Sequence, residues 1–404
     1  MPDPDRSPEH YRRRRDVSVW RVPGMLALTL VTVAGFGGYA ALFSVAPLWV
    51  VHGGQGSLGA GLVTGVLLLA TVATQPLVPP VLRRFGHGPS LAAAMLLLGV
   101  PSLCFGLSDH LTPVLVLSAI RGVGFGILTV TGSVVVAQLV PVARRGEAVG
   151  VYGLGVAVPN LLLLPSSVAV AERIGFWWVF VIGAVPLLGI PAAFRLSRAL
   201  HAVPGRSSTP RPEASRPAGL LSVVLPPTVV LFAVTLAGGA LMTFLPQLTG
   251  STALSVTALL VLGLVAALSR WLVGRVADRH GAARMLAPLL MITAAGLLLT
   301  VLALAGTGQR ARPGLLVAAM AVAGLGYGAL QNLTLLAAFS RVETREYGAA
   351  SAIWNVGFDA GTGFGAVLVG VIAAGSSFGV GFLVTAALAL LALPLTRARA
   401  RPGV

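Results

Sequence analysis

Arg270-Trp-Leu-Val-Gly274-Arg-Val-Ala-Asp278-Arg279-His-Gly281 closes an apolar run with a short, charged, glycine-punctuated stretch, and the same phrase occurs earlier in the chain. Leu77 to Gly86, Leu-Val-Pro-Pro-Val-Leu-Arg-Arg-Phe-Gly, aligns without gaps on Leu272 to Gly281 at an offset of 195 residues, sharing Leu, Val, Val, the second Arg and the final Gly. A second echo follows in the same order: Gly122-Val-Gly-Phe-Gly-Ile-Leu returns as Gly324-Leu-Gly-Tyr-Gly-Ala-Leu at an offset of 202. Two ordered echoes at about half the chain length imply a duplicated bundle, the usual plan of membrane transporters.

Composition agrees. Of 404 residues, 56% are hydrophobic and 10% charged, with mean hydropathy +0.90, whereas in soluble domains about a quarter of residues are charged. The chain reads as a polytopic membrane protein. Its net charge of +16 is no nucleic-acid signal, because that needs a basic face on a soluble domain and here the charge sits in short loops. All 28 basic residues are Arg, and the single Cys104, among apolar residues, excludes a disulfide within one chain.

Apolar segments of spanning length, about 17 to 25 residues, run approximately Met25 to Val51, Gly59 to Leu82, Pro89 to Leu107, Thr112 to Val140, Ala148 to Val170 and Phe176 to Phe194, then Pro227 to Leu248, Leu254 to Val273, Met285 to Ala305, Pro313 to Phe339, Tyr347 to Ala374 and Phe378 to Leu395. We therefore expect an all-α fold of twelve transmembrane helices in two six-helix bundles. The expected division is a tail at 1–24, a bundle at 25–196, a Pro/Ser/Arg-rich linker at 197–219, a second bundle at 220–396 and a tail at 397–404. The first tail is no signal peptide, because the following apolar run is too long and lacks a small-residue cleavage site. With the amino terminus inside, 23 of 28 Arg fall on the cytoplasmic side, as the positive-inside rule requires. A multi-pass protein of the cytoplasmic membrane with both termini cytoplasmic is expected. Gly35, Gly37, Gly38, Pro159, Pro165, Gly361, Gly363 and Gly365 are the small or helix-breaking residues that let helices approach closely or line a cavity.

Gly274-x-x-x-Asp278-Arg279-x-Gly281 between two apolar segments resembles the loop signature of the major facilitator superfamily, and the half-chain repeat covers nearly all of the chain in the same pattern. The resemblance implies a gate loop of Gly274, Asp278, Arg279 and Gly281, whose Asp meets the start of segment five at Arg145-Gly-Glu147. In the first half the acidic position is Arg83 and the first glycine is Pro79, so one latch is expected. Gly155 to Asn160 around Pro159 is similar to the proline end of the family's antiporter motif, without its other glycines.

Charges inside spans cost about 2.5 to 3.5 kcal/mol each on insertion scales, and the chain keeps three. Arg121, before the glycines of segment four, resembles the family's fourth-segment arginine; that likeness implies a residue facing the cavity to tune a proton site or hold an anion, while bonding to helix carbonyls is the alternative. Its repeat position is Ala323. Asp359, the only deep carboxylate, lies twelve residues past Tyr347 and so about 18 Å into the helix. It is costly to ionise there unless an Arg or polar donors offset the lost hydration, which makes it the proton-coupling candidate, against a neutral Asp bonded to Asn355 or a facing Thr. Arg270, whose repeat counterpart is Gln75, either snorkels to the surface or lines the cavity. Thr129, Thr131, Gln331, Asn332 and Asn355 are the remaining substrate-cavity candidates, against simple helix-to-helix bonding.

No nucleotide loop, metal-ligand spacing or nucleophile set is present, so neither a cofactor nor enzymatic activity is expected. The expected function is a secondary transporter moving a small organic molecule by alternating access, with proton-coupled efflux as an antiporter favoured by the partial motif. A proton symporter or facilitator importing a metabolite is the alternative, and a membrane-embedded lipid enzyme fits less well. Expected partners are a small-molecule substrate, protons and the lipid bilayer, with the chain acting as a monomer.

Overall fold

In the computed structural model the described residues are 20, 22–140, 145–201, 217–280, 282–305, 312–343 and 346–397. Twelve helices among them are long and apolar enough to cross a membrane: α1 (Met25–His52), α2 (Gly56–Phe85), α3 (His87–Leu107), α4 (Leu111–Val136), α5 (Gly150–Arg173), α6 (Phe176–Leu200), α7 (Gly219–Leu248), α8 (Thr252–Val273), α9 (Arg284–Leu304), α10 (Pro313–Phe339), α11 (Tyr347–Gly375) and α12 (Phe378–Thr396). The chain is a multi-pass membrane protein. Large apolar side chains such as Leu69, Leu107 and Leu188 lie exposed on the outside of the bundle, where lipid, not water, is the solvent that suits them.

Two helix boundaries differ from the sequence expectation. The helix carrying α7 starts at Pro217, and Pro226 and Pro227 lie inside it, because neighbouring elements tolerate the lost backbone bonds that make proline look like a helix start. The Gly274 to His280 stretch is helical as well, the last two turns of a helix running Thr252–His280. At 1.5 Å per residue that helix is about 43 Å long and overshoots a hydrocarbon core of about 30 Å, so the charged motif projects beyond the core on a helix end. Gly281 and the side chains of Gly274, Asp278 and Arg279 lie outside the described residues, as do those of Arg145 to Glu147; the gate contact expected between them falls there too. The linker expected at 197–219 is helical through His201, and 202–216 lie outside the described residues.

The repeat read from the sequence is present in the packing. A Cβ on Gly122 would strike the carbonyl oxygen of Leu67, and one on Gly324 would stand 2.7 Å from that of Leu262, the residue 195 positions beyond Leu67. Four residues on, Gly126 meets Thr71 O and Gly328 meets Ala266 O, again equivalent atoms. Hydroxyls brace the same seam: Thr71 Oγ1 donates to Gly122 O at 3.1 Å and Ser269 Oγ to Gly324 O at 3.4 Å. Only glycine lets α2 against α4, and α8 against α10, come so near.

The two bundles meet along α2 and α11 and along α5 and α8. Down the first seam the contacts run antiparallel: Ser57 Oγ donates to Gly370 O at 3.3 Å, a Cβ on Gly61 would stand 2.5 Å from Ala366 O, and Gln75 meets Asp359. Beside it Ser44 Oγ donates to Met242 O at 2.7 Å and Thr64 and Thr243 share a hydrogen bond of 3.1 Å. These contacts run from Ser57 and Gly370 to the level of Gln75 and Asp359.

Candidate functional site

Two helices one repeat apart place the key side chains. Gln75 stands near the end of α2 that lies toward the termini, and Arg270 occupies the equivalent level of α8. Both are held at that depth by the glycine seams described above.

Asp359 on α11 is 6% exposed and its Oδ2 accepts from Gln75 Nε2 at 2.6 Å. This hydrogen bond joins the two bundles. One amide donor is a poor replacement for the hydration shell of a carboxylate, and the partner is unsatisfied too: Gln75 Oε1 is buried without a hydrogen bond. Tyr39 from α1 and Tyr327 from α10 are both close enough to Asp359 to interact with it electrostatically. Tyr39 lies flat on Phe125 of α4, ring centroids 3.8 Å apart and 5° from parallel. Tyr327 fits because its neighbour on α7 is Gly238, where a Cβ would collide with the ring.

Tyr327 continues the cluster into the second bundle. Gln331 lies one turn further along the same helix, close enough to Tyr327 to interact with it, and Gln331 Oε1 accepts from Arg270 NH1 at 3.2 Å. Asn332 Nδ2 donates to the carbonyl oxygen of Arg270 itself at 2.9 Å, fixing the backbone from which that side chain leaves. Arg270 keeps exposed surface, yet its guanidinium turns onto α10, where it meets Gln331.

Arg121 is placed differently. Its side chain is 0% exposed, NH2 donates to Gly38 O at 2.7 Å, Nε to Leu98 O at 3.4 Å, and the guanidinium carbon lies 5.8 Å above the Phe105 ring. The residue ties α4 to α1 and α3 inside the first bundle, the carbonyl-bonded alternative; NH1 remains buried without a partner. It reaches the cluster electrostatically through Tyr39. Thr131 is fully buried with its hydroxyl unpartnered, Thr129 donates to Gly126 O of its own helix, and Asn355 donates to Ser351 O one turn back rather than to Asp359. The structure thus brings Asp359, Gln331, Asn332 and Arg270 into one neighbourhood, leaves Thr129 and Asn355 on local bonds and gives the Thr131 hydroxyl no partner. Among the described residues no group of His, Cys, Asp and Glu is placed to hold a metal.

Sequence reasoning missed Gln75, Tyr39 and Tyr327 as members of the site. The repeat carried a signal for two of them: Gln75 stands where the other half has Arg270, and Tyr327 where the other half has Phe125.

Comparisons with known proteins agree with this architecture. The sequence profile of the Major Facilitator Superfamily matches residues 26–309 and 257–403. An uncharacterized MFS-type transporter of Mycobacterium tuberculosis is 28% identical over 36% of this chain and 25% of its own length, and the inner membrane transport protein YdhP of Escherichia coli is 25% identical over 54% of this chain and 57% of its own. The chain thus spans about a fifth to just over half of the curated relatives it matches. Among solved structures, a bacterial homologue of the human lysosomal transporter Spinster superposes with a TM-score of 0.74 at 14% identity, covering 94% of this chain and 97% of that one. The nucleoside transporter NupG gives 0.70 at 12% identity, over 93% and 100%. With its duplicated six-helix bundles, its interface along α2 and α11 and a family profile matching nearly its whole length, the chain belongs to the Major Facilitator Superfamily.

Proposed function

We propose that this transporter moves a small organic molecule by alternating access and couples that movement to protons through Asp359, running as an efflux antiporter in the cytoplasmic membrane with both termini inside. The observation that carries the reading is the Gln75–Asp359 hydrogen bond at 2.6 Å. It stands on the interface between the bundles and involves the one deep carboxylate of the chain. A proton added to that carboxyl supplies the donor that Gln75 Oε1 lacks, so a turn of the amide lets acid and amide pair through both atoms. Loss of the proton returns a carboxylate held by a single N–H. The two protonation states therefore hold the bundles together with different strength, which is what a ligand needs in order to shift a conformational equilibrium.

Orientation rests on the arginine asymmetry. Efflux rests on the partial proline motif around Pro159, and the metabolite-importing symporter is its competitor. Inverted membrane vesicles with an imposed pH gradient separate the two: accumulation driven by an acidic lumen supports antiport, whereas gradient-driven loss of a preloaded solute supports symport.

A further inference from the structure

Arg270 is a cation with an open side. Its NH1 donates to Gln331 Oε1 at 3.2 Å, and no other hydrogen bond or ion pair engages the guanidinium among the described residues. Asp359 is engaged elsewhere, its Oδ2 accepting from Gln75 Nε2 at 2.6 Å. Arg270 is also one of the exposed residues of its helix, whereas Arg121 is wholly buried. An Arg side chain presents its Nε–NH2 edge as two parallel donors, the spacing that two oxygens of a carboxylate or phosphate accept together.

The surroundings keep that edge in place. Asn332 holds the backbone of Arg270 and Gln331 holds NH1. The equivalent position in the first bundle is the neutral Gln75, already joined to Asp359, so the positive centre is confined to the second bundle. A membrane-embedded cation that is accessible, oriented and unneutralised is electrostatically incomplete.

We infer that Arg270 is the binding point for an anionic group of the transported solute, so that the substrate is an organic anion with a carboxylate or phosphate whose two oxygens meet the free Nε–NH2 edge. The inference rests on the transporter reading above and adds the substrate's charge class to it.

The test compares solutes retained by cells carrying wild-type protein, Arg270→Gln, Arg270→Lys or no protein, followed by thermal-shift titration of the purified full-length proteins with the solutes recovered. Wild type changes the level of carboxylates or phosphate esters, and the recovered class tells the two apart. Arg270→Gln elutes as a folded monodisperse protein but binds the recovered solute about tenfold to a hundredfold more weakly. Arg270→Lys falls between, keeping the charge without the fork, and serves as the folded comparison if the Gln variant is not recovered. A wild type that moves only neutral or cationic solutes, or a folded Gln variant that binds the anion with unchanged affinity, overturns the anion site and leaves transport standing. A wild type that changes no solute overturns the transporter reading and the anion site with it.

Discussion

The two bundles are one design executed twice, and their differences fall at the cluster. Gly122 and Gly324 seat against equivalent carbonyls, as do Gly126 and Gly328, so the scaffold is common. At four matched positions the first bundle has Gln75, Arg121, Phe125 and Thr129 where the second has Arg270, Ala323, Tyr327 and Gln331. The first bundle buries its cation and binds it to Gly38 and Leu98 carbonyls. The second keeps its cation accessible, with a tyrosine and an amide arranged around it. The residues shared by both copies pack the helices, and those that differ either brace one bundle, as Arg121 does, or gather at the cluster, as Gln75, Arg270, Tyr327 and Gln331 do.

That contrast breaks most visibly at Arg121. Replacing it with Ala removes a fully buried side chain and leaves Gly38 O without its guanidinium donor, a loss of about 3 kcal/mol or more, which should appear as a sharply lower melting temperature and poor recovery from detergent. Arg270→Gln should do the opposite, leaving melting nearly unchanged while weakening solute binding about tenfold or more. Equal destabilisation by both would mean that the two arginines share one structural role.

Smaller changes refine the picture. Gly61→Val puts a branched side chain against Ala366 O where α2 and α11 touch; overpacking of about 1 to 3 kcal/mol should favour the state open at the end far from the termini, seen as faster thiol labelling of a Ser57→Cys probe added to a Cys104→Ser background. Unchanged labelling would show that this seam does not move. Tyr327→Phe makes the second bundle match the first at Phe125 and removes the hydroxyl beside Gln331 and Arg270, for an expected loss of about 1 kcal/mol, read as roughly a fivefold weaker solute titration.

Much of this was legible in the sequence. Twelve spans follow from apolar length, and the duplication follows from the Leu77 and Leu272 phrases. Arg270, Gln331, Asn332 and Asp359 stand out because polar and charged side chains inside spans are costly. The start of α7 was hidden, because Pro226 and Pro227 look like a helix beginning although the helix runs on through them. The glycine-punctuated motif after Val273 looks like a loop but is the end of a helix, since an α-helix tolerates an isolated glycine at modest cost. Gln75 was visible only as a counterpart of Arg270, because a pairing across 284 residues depends on how two bundles dock and leaves no local pattern. Whether Arg121 served the cavity or the scaffold likewise depended on which carbonyls lay nearby.

The central claim is that protonation of Asp359, felt through Gln75, couples the bundles to a proton gradient. The direct measurement is transport of an identified solute by reconstituted Asp359→Asn protein, with and without an imposed pH gradient. Asn preserves the size and most of the hydrogen bonding of the neutral acid but cannot exchange a proton, so the variant should exchange solute down its own gradient and show no accumulation driven by pH. Accumulation by the Asn variant at the wild-type rate would contradict the account and remove Asp359 from the coupling mechanism.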